Sequence, residues 1–275
     1  MEPAGLLIGG ILALALGFAF FGDDDDEAPA QPEPEMNDEG RVTGTDGGDE
    51  IAYDYTDHPY PTEIRAGAGD DSVSLAMGVD TYGEAGDDVI RMEDANVNVI
   101  DGGDGNDRIV LDRAIRADVR GGDGDDTISM NDRSVEGTSS VDAGAGDDIV
   151  QIGKDPSLSS DWNHTIPVEL GAGADSLQID FTAGTMSPGQ AGSGTSAEVS
   201  DFDPAEDILT INIAEGDESF LGYEVVERDG NSEVVLTYRG IGSDEQPMEY
   251  SAVVRLLGVS ELPASSLQVV TGQAA

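Results

Sequence analysis

From residue 44 to about residue 180, the apolar positions keep a fixed relation to a recurring aspartate. Two residues after Asp49, Asp71, Asp88, Asp107, Asp126, Asp148 and Asp175 stand Ile51, Val73, Ile90, Ile109, Ile128, Val150 and Leu177. Two further on stand Tyr53, Leu75, Met92, Leu111, Met130, Ile152 and Ile179. Period two puts both sets on one face of a strand. A second apolar position lies upstream of each aspartate, at Ile64, Thr81, Ile100, Val119, Val141 and Val168, and only the threonine is not apolar. The aspartates follow one another at 22, 17, 19, 19, 22 and 27 residues. Each interval therefore holds one strand, a return, and a second strand. That register predicts stacked coils around a shared apolar core rather than a flexible acidic chain.

Between the two strands of each coil lies a turn built from glycine and aspartate. Gly121-Gly122-Asp123-Gly124-Asp125-Asp126 precedes Thr127-Ile128, and Gly102-Gly103-Asp104-Gly105-Asn106-Asp107 precedes Arg108-Ile109. Weaker copies end at Asp49, Asp71, Asp88, Asp148 and Asp175. Glycine tolerates the left-handed dihedrals of a tight turn. Such a turn points carbonyls inward, and the aspartate adds an acceptor-only carboxylate. Carbonyl and carboxylate oxygens in a loop are what Ca²⁺ prefers, with about six to eight ligands.

This pattern, Gly-Gly-x-Gly-x-Asp-x-apolar-x, resembles the hemolysin-type calcium-binding repeat, also called the RTX repeat. The resemblance covers roughly half of the chain and implies a parallel β-roll. Each coil would carry one glycine-rich turn and one degenerate turn, giving a single row of sites on one edge. In that family a Ca²⁺ sits between successive loops and takes carbonyls and the sixth-position aspartate from both. Carried over, Asp88 and Asp107 would share an ion, as would Asp107 with Asp126 and Asp126 with Asp148. The residues implied as ligands are Asp49, Asp71, Asp88, Gly102, Gly103, Asp104, Gly105, Asp107, Gly121, Gly122, Asp123, Gly124, Asp126, Gly146, Asp148 and Asp175. Seven loops allow at most six such ions.

The flanks read differently. Gly5 to Gly22 is a run without charge, and as a helix it would span roughly 27 Å, the short end for a bilayer. A retained membrane anchor is the expectation, with a cleaved signal peptide as the rival, since no Lys or Arg precedes Arg41. Residues 23–43 are acidic, with Pro29, Pro32 and Pro34, and read as a solvated linker. Residues 181–200 are rich in Gly, Ser and Thr and read as a loop. Asp207, Leu209 and Ile211 repeat the aspartate and core register in a closing coil. Strands are expected at Leu221–Glu227, Glu233–Tyr238, Ala252–Leu257 and Leu267–Val270, with a hairpin turn at Arg228–Ser232. Together, residues 201–275 read as a small β-rich cap, which the open end of an array requires.

Composition narrows the function. Acidic residues number 58 against 12 basic, a formal net charge of −46. Nucleic acid is an unsuitable partner, because phosphate contacts need Lys and Arg clusters. There is no cysteine, which excludes disulfides and thiolate metal sites. The two histidines, His58 and His164, stand far apart and read as surface residues. No Gly-x-Ser-x-Gly elbow or Walker loop is found. The expectation is an all-β protein: a parallel β-roll with a C-terminal cap, preceded by one transmembrane helix. Its expected role is calcium binding outside the cytoplasm, membrane-anchored or secreted, without catalysis. The alternative is an adhesion or matrix protein in which the roll is a calcium-stiffened spacer for a C-terminal binding domain.

Overall fold

The computed structural model describes residues 34–54, 56–57, 59–96, 98–132, 139–154, 165–181, 194–214, 216–241 and 246–273. These residues form strands and turns only, in two sheets. Numbered in chain order, the strands of the first sheet lie side by side as β1 (Glu35–Met36), β2 (Arg41–Thr43), β4 (Glu63–Ala68), β6 (Asp80–Ala85), β9 (Val99–Asp104), β11 (Asp118–Asp123), β13 (Ser140–Ala145), β15 (Ile166–Glu169), β17 (Gly194–Val199), β21 (Pro247–Leu256), β20 (Asn231–Ile241) and β19 (Phe220–Arg228). The second sheet runs β3 (Glu50–Tyr53), β5 (Ser72–Leu75), β7 (Val89–Met92), β10 (Arg108–Ile115), β12 (Thr127–Asp132), β14 (Ile149–Lys154), β16 (Ser176–Phe181), β18 (Ile208–Ala214) and β22 (Leu267–Gln273), with the short β8 (Ala95–Asn96) also on β10.

Apart from the short β8 and the β19–β20 hairpin, the chain from β2 onward alternates between the sheets, and neighbours in each sheet are parallel except around that hairpin. Each circuit is therefore one coil stacked on the last. The geometry fits a β-roll. The apolar register predicted from sequence is the pairing register: Ile90, Ile109, Ile128, Val150, Leu177 and Leu209 are successive partners across β7, β10, β12, β14, β16 and β18. Of the fourteen core positions read after the aspartates, all but Tyr53 are buried. Tyr53 is half-buried at the end of the stack and meets Tyr60 edge-on at 5.8 Å between centroids. The upstream positions are buried as well, and Thr81 satisfies its hydroxyl by donating to Val79 O at 3.0 Å.

Coil lengths differ because insertions fall on the return edge, away from the glycine-rich turns. The segments 133–138 and 155–164, each between a strand of the second sheet and the next strand of the first, lie outside the described residues. The turn edge keeps constant geometry, which is why the aspartate register survives spacings from 17 to 27 residues.

Two flanking expectations need correction. Residues 34–43, read as linker, are folded: β1 and β2 pair antiparallel, and β2 adds to β4 in parallel with Val42 buried. Asn37 Oδ1 closes their turn by accepting from the N–H groups of Glu39 and Arg41, and Gly40 takes φ 82°. Val42 stands two residues before Gly44, the same inward position as Ile64 before Ala66, and this apolar residue outweighs its charged neighbours. Likewise the segment read as a loop over 181–200 contains β17, which continues the first sheet. Ala197 and Val199 supply its inward face.

The strands expected beyond residue 220 are present as β19 to β22. β21 and β22 extend the two sheets by a further coil, and the β19–β20 hairpin is inserted before it. Asp229 and Gly230 take φ 53° and 80°, the paired positive dihedrals of a two-residue hairpin turn. The apolar segment 5–22 lies outside the described residues. No helix among the described residues is long and apolar enough to cross a membrane.

Candidate metal centre

The glycine-rich turns join the first sheet to the second on a single edge, and stacking brings equivalent residues of successive coils together. In the six turns that end at Asp71 to Asp175 the second and fourth positions have left-handed dihedrals, as at Gly103 and Gly105 (φ 116° and 132°) and at Gly122 and Gly124 (127° and 133°). A side chain there would also strike backbone. A Cβ on Gly122 would lie 1.9 Å from Gly103 O, and one on Gly124 would lie 2.2 Å from Gly105 O. Gly146 repeats this against Gly124 O. The glycines therefore permit close stacking and leave each turn's carbonyls directed at the next turn. Glu84 occupies the second position of its turn at φ 78°, and its carboxylate pairs with Arg65 at 2.9 Å.

The sixth-position aspartates form one continuous ladder. The backbone N–H of each donates to Oδ1 of the aspartate one coil later. The links run Asp49 to Asp71 (2.7 Å), Asp71 to Asp88 (2.8 Å), Asp88 to Asp107 (2.8 Å), Asp107 to Asp126 (2.7 Å), Asp126 to Asp148 (2.8 Å), Asp148 to Asp175 (2.9 Å) and Asp175 to Asp207 (3.0 Å). A second ladder runs on the exposed side of the same turns in the opposite sense. There the fifth-position side chain reaches forward: Asp70 to Asp87 N–H, Asp87 to Asn106, Asn106 to Asp125, Asp125 to Asp147, and Asp147 to Ala174. It stops at Ala174, whose methyl cannot accept.

The inner ladder leaves oxygens over. Asp71, Asp88, Asp107, Asp126, Asp148 and Asp175 are each no more than 2% exposed, and Oδ2 of every one has no hydrogen-bond donor. At the two ends the geometry differs. Asp49 Oδ2 accepts from Thr45 N–H at 2.6 Å, and Asp207 Oδ2 from Asp203 N–H at 2.7 Å. Burial pushes the carboxyl groups of Asp88, Asp107 and Asp126 up to about 7 and that of Asp148 up to about 6. The backbone N–H bond to each acts against this shift, and the next aspartate in the row adds to it. Asp71, Asp175 and Asp207 are raised for the same leading reason.

A buried carboxylate with an unpartnered oxygen is costly unless it is protonated or meets a cation. The surrounding donors suit a cation. A Cβ on Gly102 would lie 2.2 Å from Asp107 Oδ2 and 2.6 Å from Gly121 O. A carboxylate oxygen of one coil and a carbonyl oxygen of the next thus both lie close against the Gly102 backbone, and these are the two kinds of oxygen that Ca²⁺ takes as ligands. The residues present fit a hard, oxygen-loving cation. Among the described residues, no three Asp, Glu, His or Cys side chains converge on one point. The row offers one buried carboxylate per coil, so backbone carbonyls would have to supply the rest.

Of the residues expected as ligands, Asp71, Asp88, Asp107, Asp126, Asp148 and Asp175 share the buried row, with Gly102 and Gly121 against it. Gly103, Gly105, Gly122, Gly124 and Gly146 shape the stack. Asp49 is half-buried and satisfied. The side chains of Asp104 and Asp123 are exposed, outside the row. Sequence reasoning did not find the outer ladder of Asp70, Asp87, Asn106, Asp125 and Asp147. Its signal was the polar fifth position of successive turns. His58 and His164 lie outside the described residues.

No model of a known protein family matches the chain, and no curated protein matches it. The fold and the row together define a class: a parallel-stranded coil stack with one buried carboxylate per turn.

Proposed function

We propose that this chain is a calcium-binding protein of the RTX type, whose roll folds when Ca²⁺ enters between stacked turns, and that its role is binding rather than catalysis. The observation that carries this reading is the row of six buried, unpartnered aspartate oxygens on one edge. Without a cation, neighbouring carboxylates repel and the glycine-rich turns carry a high ordering cost. A ligand that binds only the folded state stabilises it by mass action. Asp88, Asp107, Asp126 and Asp148 would hold the ions with carbonyls of the adjoining turns. Calcium modules of this kind work at about 10⁻⁴–10⁻³ M, which places the domain outside the cytoplasm, anchored by residues 5–22 or secreted.

The test is a calcium titration of the full chain, followed by circular dichroism and calorimetry. The expected result is a cooperative gain of β-structure near millimolar calcium with several ions per chain. A spectrum in chelator identical to that in calcium, with no heat of binding, would refute the reading.

A further inference from the structure

The two sheets end unevenly. β21 and β22 extend them by the same last coil, but the first sheet runs two strands further, through β20 to β19. Among the described residues β19 pairs with β20 alone, so one side of its backbone has no strand partner. Its core face is apolar and uncovered. Tyr223 and Val225 stand opposite Leu236 and Val234 in the pairing register. Leu236 and Val234 are fully buried, whereas Tyr223 is 50% and Val225 44% exposed, with Leu221 at 40% beside them. An open edge carrying exposed apolar side chains is a template for another strand. At the other end of the stack the first sheet finishes in β1, a strand of two residues.

The hairpin fixes which backbone groups of β19 are free. Its two-residue turn makes Arg228 and Asn231 a hydrogen-bonded pair, and bonded and non-bonded pairs alternate from there. Val226 and Glu224 therefore bond to β20, while the N–H and C=O of Glu227, Val225 and Tyr223 point to the open edge. The turn closes this stretch on one side, and the bulge between Phe220 and Gly222 closes it on the other. The free groups are thus symmetric about Val225. Two copies laid antiparallel about a two-fold axis at Val225 satisfy all of them. Val225 then meets Val225 of the second copy, and Tyr223 meets Glu227. On the other face Glu224 meets Val226 and Arg228 meets Gly222, so no like charges stand opposite one another. Glu224 of the second copy is the diagonal neighbour of Arg228, an opposite charge within reach of a long side chain. Charge also favours this end of the molecule. Residues 220–241 carry four acidic and two basic residues in a chain of net charge −46, so two copies meet here without the repulsion that the aspartate edge would bring. We infer that β19 is a self-association edge, through which two copies of this chain join their first sheets into one continuous sheet.

The experiment is native mass spectrometry of the full chain, with calcium and a non-ionic detergent present, on the wild type and Val225→Glu. Disulfide formation under mild oxidation is followed in Val225→Cys and Val89→Cys. The chain has no cysteine of its own, so each variant carries a single thiol. Val89 is 42% exposed on the second sheet, away from β19, and serves as the comparison. The expected wild-type mass is twice the chain mass of 28.5 kDa, and Val225→Glu, which sets two carboxylates at the axis, halves it. Facing residues of a hydrogen-bonded antiparallel pair stand about 5.5 Å apart at Cα, within disulfide range, so Val225→Cys is expected to cross-link and Val89→Cys is not. A wild type at the mass of one chain overturns the inference and leaves the edge to a segment of another protein. A dimer that Val225→Glu leaves intact, or cross-linking no faster at 225 than at 89, overturns it as well. Should Val225→Glu fail to fold, as circular dichroism would show, the wild-type mass and the two cysteine variants decide alone.

Discussion

At the scale of the residue, the aspartate of each turn does two jobs with two oxygens. Oδ1 of Asp107 accepts from the N–H of Asp88 and so fixes the stack, while Oδ2 is left over. Asparagine could keep the first function and would lose the charge. Asp107→Asn is therefore expected to stabilise the chain in chelator, by roughly 1–3 kcal/mol, the usual cost of a buried unsatisfied group. It should also weaken the response to calcium. Urea unfolding in chelator and in calcium measures both. Lower stability of the variant in chelator would mean that the orphan oxygen is not a burden. The pattern that located Asp107 was visible in the sequence, because glycine, aspartate and aliphatic residues have distinct roles at fixed offsets. The division of labour between its two oxygens was not, since it depends on a neighbour 19 residues away.

At the scale of the element, the turns fit together only because glycine leaves room. Gly124 combines φ 133° with a Cβ position 2.2 Å from a backbone oxygen of the preceding turn. Neither can relax without moving the stack. Gly124→Ala is expected to cost about 1–3 kcal/mol from the dihedral alone, and more from the clash. It should lower the calcium-bound midpoint in thermal unfolding far more than Gly230→Ala. Gly230 also has positive φ, but a Cβ there meets nothing within 4 Å. Equal losses for the two would mean that strain, not stacking, sets the requirement. Strand positions were legible from period two, including the hairpin β19–β20. The folding of 34–43 was hidden, because one buried valine carried the signal against three acidic residues in positions 34–43 and the acidic 23–33 run before them. β17 was hidden for a related reason: Gly, Ser and Thr dominate its surroundings, and its partners β15 and β21 are remote in sequence.

At the scale of the whole molecule, protons and calcium compete to neutralise one row. Burial raises these carboxyl groups in the folded chain, so the folded state binds more protons than the unfolded state, whose aspartates titrate near 3.9. The contribution is fully present below about pH 4 and is lost as pH rises through the folded values, about 6 to 7. In chelator the roll is therefore expected to be more stable at pH 5 than at pH 7.5. Calcium should reverse that order, because it replaces the proton only where the carboxyl is ionised. Thermal unfolding at both pH values, with and without calcium, checks this. The same order in both conditions would count against a shared site. The formal charge of −46 acts in the same direction at long range, favouring the compact chain when acid or cations reduce it.

The sequence by itself determined the coil, its core face and the edge on which the turns gather. Those properties follow from local offsets between glycine, aspartate and aliphatic residues, which every turn repeats. The tertiary structure decided what no offset contains. It decided that the aspartate ladder continues through Asp207, that a second ladder runs the opposite way outside it, and that six oxygens are left without donors. Each of these is a relation between residues of different coils. Such relations exist only once the strands are stacked, and the distance between stacked turns then sets which atoms meet.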